Sequence, residues 1–206
     1  MMLRLGVTGG IGSGKSFVCR LLEQDFRVPV YDCDSRAARL VVTSSDIRRG
    51  LTRLLGAAVY RPDGSLNKPL LADFLFSAPD RARLVNAVIH PEVKRDFRRW
   101  TEERTACPLV AMESAILFES GFRDTVDAVL LVDAPADVRR RRVRERDGLS
   151  AAQIEARMNS QLADDERRRL ADFTVWNDGL SDLRPALSQL LHRLLAEQEA
   201  GGSSAR

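Results

Sequence analysis

A glycine-rich segment near the start of the chain, GVTGGIGSGKS from Gly6 to Ser16, is compatible with few local structures. Five of its eleven residues are glycine. Glycine loses more conformational freedom on folding than any other residue, so such a run weakens an ordinary helix or strand. From Gly9 to Ser16 the segment matches the pattern G-x-x-x-x-G-K-S, which forms a phosphate-binding loop when it connects a strand to a helix.

The flanking residues predict that strand and that helix. LRLGVT, before the glycines, is apolar and branched, as in a buried strand. KSFVCRLLEQ, after them, carries apolar residues at helical spacing. In such a loop, successive backbone N–H groups turn inward around phosphate oxygens, and the helix contributes its positive N-terminal end.

The last two residues of the pattern complete the predicted nucleotide site. We expect Lys15 to reach the terminal phosphates and the Ser16 hydroxyl to be an oxygen ligand for Mg²⁺. The residues predicted to bind the nucleotide are Gly10, Ile11, Gly12, Ser13, Gly14, Lys15, Ser16 and Phe17.

The rest of the chain predicts an α/β fold. VPVY, PLVAME, AVLLVD and FTVW are further strand candidates, and helical patterns lie between them, as in a parallel five-stranded sheet with crossover helices. Residues 60–106 are mostly helical and too long for one crossover, so we expect a helical insertion in a single domain of residues 1–206. The polar, glycine-containing end, residues 198–206, is expected to be a flexible tail.

Composition indicates a soluble cytoplasmic protein. Basic residues nearly balance acidic ones, 32 against 29, so the charge does not require nucleic acid. The three cysteines are widely spaced and form no C-x-x-C, which favours a reducing compartment. The start leaves no room for a signal peptide, and no apolar run approaches the roughly 20 residues of a membrane span.

Several classes of protein share a phosphate loop. A GTPase usually carries N-K-x-D and D-x-x-G motifs, and the expected positions lack them. A small-molecule kinase needs a carboxylate near the loop, a metal ion and arginines that neutralise the transferring phosphate.

Asp32 and Asp34, in VYDCD, are the candidate carboxylates. Residues two apart on an extended segment point the same way, so both could face one site. One would accept a proton from a hydroxyl, and the other would orient metal-bound water. Alternatively, Asp34 caps the next helix, and the two roles can coexist.

The candidate arginines lie in RRRRVRERDG, residues 139–148. On a helix, Arg142 and Arg146 share one face, beside Gly148, which could hinge a lid over about residues 139–150. The alternative is a solvated basic helix or a nucleic-acid surface. Aromatic residues make up only 6% of the chain, which argues against base stacking on such a surface.

The motifs TGGIGSGKS, DCD, IHPEV, ILFESG, RERDG, RMNSQ and NDG, in this order, resemble the dephospho-coenzyme A kinase family. The resemblance extends from about Leu3 to Leu194. It implies a P-loop kinase fold with a five-stranded parallel core, a helical acceptor-binding domain and a lid. The implied reaction transfers the γ-phosphoryl group of ATP to the ribose 3′-hydroxyl of dephospho-coenzyme A, the last step of coenzyme A synthesis.

The resemblance also implies roles for individual residues. Asp34 would be the general base, Asp32 its supporting carboxylate, Arg142 and Arg146 the lid arginines, and Asn177 part of the segment beside the adenine. Mg²⁺ would be held by Ser16, with Asp32 or Glu113 acting through water. The residues expected on the acceptor side are Asp32, Asp34, His90, Glu113 and Leu117.

Some positions depart from the family pattern. Glu113 stands where an aspartate is usual, and Ala115 where a proline is usual. Lys68 and Ala72 replace arginines common in the helical domain. These changes affect the region expected to bind the acceptor.

Two further motifs have less specific interpretations. His90 precedes Pro91 at a predicted helix start and is interpreted as an acceptor-side or a packing residue. Arg157 and Gln161, in RMNSQ, are expected on one helix face as structural support.

Two other functions remain open from the residues alone. One is a nucleoside or nucleoside-monophosphate kinase with the same loop and lid. The other is a nucleotide-dependent nucleic-acid-binding protein, whose binding would fall steeply with salt. We expect a monomer or a weak homo-oligomer with ATP and dephospho-coenzyme A as its substrates.

Overall fold

The computed structural model describes residues 2–78 and 80–203. The chain divides into two compact units. The larger unit comprises residues 1–31 and 104–206, and the helical unit comprises Asp32–Glu103.

A five-stranded parallel sheet forms the centre of the larger unit, which confirms the predicted α/β fold. The strands are β1 (Leu3–Thr8), β2 (Val30–Asp32), β3 (Leu109–Glu113), β4 (Ala128–Asp133) and β5 (Phe173–Trp176). Their order across the sheet is β2-β3-β1-β4-β5. Strand β1 is therefore central, and its Leu5 aligns with Ala111 on one side and Ala128 on the other. Parallel strands end at the same edge, so the segments that follow β1, β3 and β4 meet there.

The core of the larger unit lies between this sheet and the helices on its faces. All six residues of β4 are buried, as expected for a parallel strand covered on both sides. Helix α1 (Lys15–Gln24) buries Leu22 in this core, and the C-terminal helix buries Leu187. Leu5 and Val7 of β1 belong to the same core, so α1 and the C-terminal helix fix one face of the strand that carries the glycine segment.

Three helices connect β4 to β5: α6 (Ala136–Asp147), α7 (Ala151–Asn159) and α8 (Asp164–Leu170). The expectation that Arg157 and Gln161 share one helix face is wrong, because α7 ends at Asn159. The Ser160 hydroxyl donates to the Arg157 carbonyl, a local bond that competes with helix continuation. Gln161 therefore lies in the connection to α8.

The helical unit contains α2 (Cys33–Thr43), α3 (Ser45–Leu55), α4 (Lys68–Ser77) and α5 (Arg81–Glu102). Helix α5 packs against α2, α3 and α4. The unit begins at Asp32, earlier than residue 60, where the sequence predicted an insertion to start. The reason is that α2 and α3 pack against α5, and Ile47 and Leu51 of α3 are buried.

Pro91 lies inside α5, so the predicted helix start at His90 and Pro91 is wrong. A proline within a helix costs about 3 kcal/mol, since it removes a backbone hydrogen bond and crowds the preceding turn. The helix nevertheless continues, because Val93, Phe97 and Trp100 are buried beyond the proline. This packing outweighs the local penalty.

The C-terminal helix α9 spans Arg184–Ser203. Residues 198–203, expected in a flexible tail, are therefore helical, in keeping with the good helix formers Ala, Glu and Gln in AEQEA. Residues 204–206 lie outside the described residues. Neither α9 nor any other helix within the described ranges combines the length and hydrophobicity needed to cross a membrane.

Candidate active site

The glycine segment forms a loop between β1 and α1, as the sequence predicts. Gly12 and Gly14 have φ angles of 78° and 95°, in the left-handed region that favours glycine. Gly14 is also the N-cap of α1, and no side chain there occupies the helix start. No N-cap side chain therefore competes with an anion at the start of α1, as a phosphate-binding loop requires.

The two residues after Gly14 bring polar groups to this loop. Lys15 Nζ donates to the Gly9 carbonyl at 2.9 Å. Ser16 Oγ donates to Glu113 Oε1 at 2.9 Å, and Glu113 is the last residue of β3. A hydroxyl and a carboxylate are the oxygen donors that Mg²⁺ prefers, so the pair fits that ion. Within the described ranges, no group of three or more His, Cys, Asp or Glu side chains could hold a metal ion.

A buried thiol lies close to this pair. Cys19, one turn along α1 from Ser16, is buried. Its burial, reinforced by the Glu113 carboxylate, raises the pKa of the thiol. Cys19 therefore stays protonated and packs as a small apolar residue.

Arg142 and Asn177 hold the loop from the other side. Arg142 Nη1 donates to the Ser13 carbonyl at 3.3 Å and to the Asn177 carbonyl at 3.2 Å. The Asn177 side chain is buried and donates to the same Ser13 carbonyl at 2.8 Å. Helix α6 and the segment after β5 are thereby tied to the loop.

The loop and α6 enclose a cavity of about 240 Å³. The charged and hydroxyl side chains around it are those of Lys15, Ser16, Arg20, Arg142 and Arg146. The two arginines chosen for their helical spacing thus line one cavity with the loop. Arg20 was missed, although its place on α1, one turn beyond Ser16, could have indicated it.

Arg146 is held by its neighbour in sequence. Its Nε donates to Asp147 Oδ1 at 2.7 Å. This hydrogen bond raises the pKa of Arg146 and lowers the pKa of Asp147. Phe17, on the same side of the loop, is 43% exposed, with the Arg20 guanidinium 5.9 Å from its ring centroid.

Comparison with known proteins decides the family. The protein-family model described as Dephospho-CoA kinase matches residues 3–182. The dephospho-CoA kinase of Bacteroides fragilis is 44% identical over 191 residues, which cover 93% of this chain and 92% of the relative. The chain belongs to the dephospho-CoA kinase family.

Solved structures agree with this membership. A Thermus thermophilus protein superposes with a TM-score of 0.76 at 36% identity, covering 95% of this chain and 97% of the other. A shikimate kinase from Acinetobacter baumannii superposes with a TM-score of 0.52 at 16% identity, covering 96% and 95%. The second similarity concerns the fold alone. Both similarities support the fold of this dephospho-CoA kinase family member, a parallel five-stranded sheet flanked by helices.

The two aspartates of the family's D-x-D motif do not lie on an extended segment. Asp32 ends β2 and is the N-cap of α2, where its Oδ1 accepts the backbone N–H groups of Asp34 and Ser35. Asp34 is the second residue of α2 and is exposed. The argument from strand alternation was therefore wrong, since the strand stops at the first aspartate. Asp32, not Asp34, is the residue that caps the helix.

Two residues predicted on the acceptor side, Leu117 and His90, are wholly or partly buried. Leu117 is fully buried, and a Cβ built on Gly6 would lie 2.6 Å from its Cδ1. Its side chain therefore belongs to the core of the larger unit and offers no surface to an acceptor. His90 is half-buried within α5.

Gln161 connects two loops of this dephospho-CoA kinase family member. Its Oε1 accepts the Ile11 N–H at 2.8 Å, and its Nε2 donates to the Ala115 carbonyl at 3.1 Å. The amide thus holds the phosphate loop and the segment after β3, where Ala115 lacks the usual proline ring. The sequence indicated structural support from Gln161, but its two partners are distant in the chain.

Proposed function

We propose that this chain transfers the γ-phosphoryl group of ATP to the ribose 3′-hydroxyl of dephospho-coenzyme A, giving coenzyme A and ADP. The observation that carries the proposal is the cavity shared by Lys15, Ser16, Arg142 and Arg146, in a member of the dephospho-CoA kinase family. Phosphoryl transfer needs little covalent chemistry from the protein. It depends on positioning and on neutralising the charge of the phosphates.

On the donor side, the loop amides and Lys15 bind the triphosphate. When the nucleotide binds, the Lys15 ammonium gives up its hydrogen bond to the Gly9 carbonyl and contacts the terminal phosphates instead. Arg142 and Arg146 contribute two positive charges from α6, where charge accumulates in the transition state. Asn177 keeps the loop in shape through its bond to the Ser13 carbonyl.

The contact between Ser16 and Glu113 supports a Mg²⁺ site there. Mg²⁺ would neutralise part of the phosphate charge, and it is commonly bound through one or two protein oxygens together with water and substrate phosphates. Of the two carboxylates predicted for this role, Glu113 is preferred, because it touches Ser16. The Asp32 carboxylate is already used by the backbone of α2.

On the acceptor side, Asp34 is the general base that takes the proton of the 3′-hydroxyl. Its exposure and its place in the chain two residues after the end of β2 support this role. Asp32 acts on Asp34 as a positioning residue, because its carboxylate accepts the Asp34 N–H and fixes the first turn of α2.

The remaining assignments concern the acceptor-binding helices, the lid, the oligomeric state and the cellular compartment. The helical unit, with His90, would bind the acceptor. The lid would comprise residues 139–150, with Gly148 as its hinge, since Gly148 ends α6 with a φ angle of 64°. We expect a cytoplasmic monomer or weak homo-oligomer.

The basic run of α6 is used within the chain, which argues against a nucleic-acid surface. Arg139 binds Asp164, Arg140 binds Glu155, and Arg142 binds Asn177. Arginines held in this way would have to exchange protein partners before they bound a nucleic-acid backbone.

The test is a comparison of acceptors. The purified protein is incubated with ATP, Mg²⁺ and either dephospho-coenzyme A, nucleosides or nucleoside monophosphates, and ADP formation is measured. We expect ADP only with dephospho-coenzyme A, and ³¹P NMR of the product should show a new 3′-phosphomonoester. Turnover with nucleoside monophosphates and none with dephospho-coenzyme A would refute the proposal.

A further inference from the structure

The ion pair between Arg139 and Asp164 includes a third charged side chain, Arg167, and this cluster lies in the larger unit. The Arg139 side chain, on α6, is only 2% exposed, and that of Arg167, on α8, only 4%. Arg139 Nη2 donates to Asp164 Oδ2 at 2.5 Å, and Arg167 Nη2 donates to Asp164 Oδ1. Two buried cations therefore share one carboxylate.

A second acid, Asp133, also acts on Arg139, but its Oδ2 accepts Arg168 Nε at 2.6 Å. Arg168 is shared with Asp165, whose side chain is 86% exposed, so water screens that carboxylate and it compensates little of the buried charge. Burial is the main cause that lowers the pKa of Arg139, and Arg167 lowers it further. An arginine nevertheless keeps its charge in a protein, so the cluster carries a net positive charge.

Each arginine also has a buried nitrogen with no protein acceptor. Within residues 2–78 and 80–203, Arg139 Nε and Arg167 Nη1 are buried and lack a hydrogen-bond partner. Burying such a nitrogen lowers the stability of the fold, because it loses hydrogen bonds to water and gains none to the protein. Stability alone does not explain why two of them lie together.

The cluster packs against the phosphate loop. A Cβ built on Gly10 would lie 2.0 Å from Arg139 Nη1 and 2.8 Å from Arg167 Nη2. A Cβ on Gly12 would lie 2.5 Å from the Arg139 carbonyl oxygen. The pattern G-x-x-x-x-G-K-S allows any residue at both positions. At Gly10 the close approach of the two guanidinium groups favours glycine, and at Gly12 the Arg139 backbone adds to the preference set by the φ angle of 78°.

We propose that the Arg139–Asp164–Arg167 cluster places a net positive charge against Gly10 and thereby strengthens the binding of the triphosphate by the loop. Arg139 is a positioning residue here, since it acts through the loop and does not touch the nucleotide. The inference rests on the proposed function, which makes ATP the ligand of the loop. A unit charge about 10 Å from a phosphate, at the effective dielectric constant of a partly buried site, changes affinity about ten-fold or more.

The test compares variants that differ in charge at matched positions. Arg139→Gln removes the charge, whereas Arg139→Lys keeps it. Arg169→Gln removes the same charge from an exposed position on α8 and is the control. Calorimetry gives the Kd for ATP of each variant, initial rates give both KM values, and thermal unfolding monitors folding.

We expect Arg139→Gln to raise the Kd and KM for ATP about ten-fold and to leave the KM for dephospho-coenzyme A unchanged. Arg139→Lys and Arg169→Gln should stay within about three-fold of the unmodified enzyme. A folded Arg139→Gln protein that binds ATP as tightly as Arg169→Gln would overturn the proposal. An equal loss in Arg139→Lys would also overturn it, because the shape of the guanidinium would then matter and not its charge.

A second variant covers the case in which Arg139→Gln does not fold. Arg167→Gln removes the same charge from α8 and should weaken ATP binding by a similar factor. If neither variant folds, the cluster is a structural element and the proposal fails. The unmodified enzyme tests the proposed function separately: if it phosphorylates dephospho-coenzyme A while the variants bind ATP normally, only this inference is lost.

Discussion

The Ser16 hydroxyl donates a hydrogen bond to Glu113 Oε1 across 2.9 Å, and so joins the first turn of α1 to the end of β3. Relative to the aspartate usual at position 113, glutamate is one methylene longer. The bond shows that the longer carboxylate reaches the phosphate loop.

Glu113→Gln keeps the length of this side chain and removes its charge. If Glu113 helps to hold Mg²⁺, the variant should need about ten-fold or more Mg²⁺ for half-maximal rate, as for other groups that orient metal ligands. The measurement is a Mg²⁺ titration at saturating ATP and dephospho-coenzyme A. Glu113→Asp is the control, since it retains the carboxylate. An unchanged Mg²⁺ dependence in Glu113→Gln would exclude Glu113 from the site.

Lys15→Ala removes the ammonium that we expect to contact the terminal phosphates. The variant should bind the nucleotide more weakly and turn over more slowly. We expect kcat/KM for ATP to fall by about 10²-fold or more, as for the loss of a group that stabilises transition-state charge. Calorimetry and initial rates measure the two effects. Arg169→Ala, which removes a positive charge from an exposed position on α8, is the control. A fully active Lys15→Ala enzyme would remove the loop from the catalytic site.

Asp34→Asn should separate chemistry from nucleotide binding. We expect the Kd for ATP to stay within about three-fold and kcat to fall by about 10²- to 10⁴-fold, the range for a lost general base. Asp32→Asn is a matched control, because asparagine is also a good N-cap and can hold the start of α2. Its kcat should fall less than that of Asp34→Asn. Equal rates for Asp34→Asn and the unmodified enzyme would assign the base elsewhere.

Leu117→Ala tests the assignment of Leu117 to the core. Truncating a fully buried leucine should lower the free energy of unfolding by about 2–5 kcal/mol. Denaturant titration measures this loss, and initial rates on the folded protein should give an unchanged KM for dephospho-coenzyme A. A raised KM for dephospho-coenzyme A at unchanged stability would instead indicate that the Leu117 side chain contacts the acceptor.

Local patterns predicted the sheet and the loop. LRLGVT and AVLLVD are apolar segments whose burial needs no knowledge of distant partners, and the glycines from Gly9 to Gly14 require a special backbone wherever they occur. The one-turn spacing of Arg142 and Arg146 placed both on a common cavity. In each case the information lies within a few residues of chain.

The differences arise where tertiary contacts decide the structure. Pro91 indicated a helix boundary, but packing beyond it keeps α5 continuous. Asp34 was assigned to an extended segment because the end of β2, at Asp32, depends on a cap. Arg139 shares a helix face with Arg142, three residues away, and could have been found by spacing. Spacing could not have identified its partners, Gly10 and Asp164, because they are distant from Arg139 in the chain.

The most direct test of the account is a crystal structure with a non-hydrolysable ATP analogue, Mg²⁺ and dephospho-coenzyme A bound. We predict that the triphosphate lies within hydrogen-bonding distance of the backbone amides that precede and include Lys15 and Ser16. The acceptor's 3′-hydroxyl should lie beside Asp34. A triphosphate bound away from this loop would contradict the account.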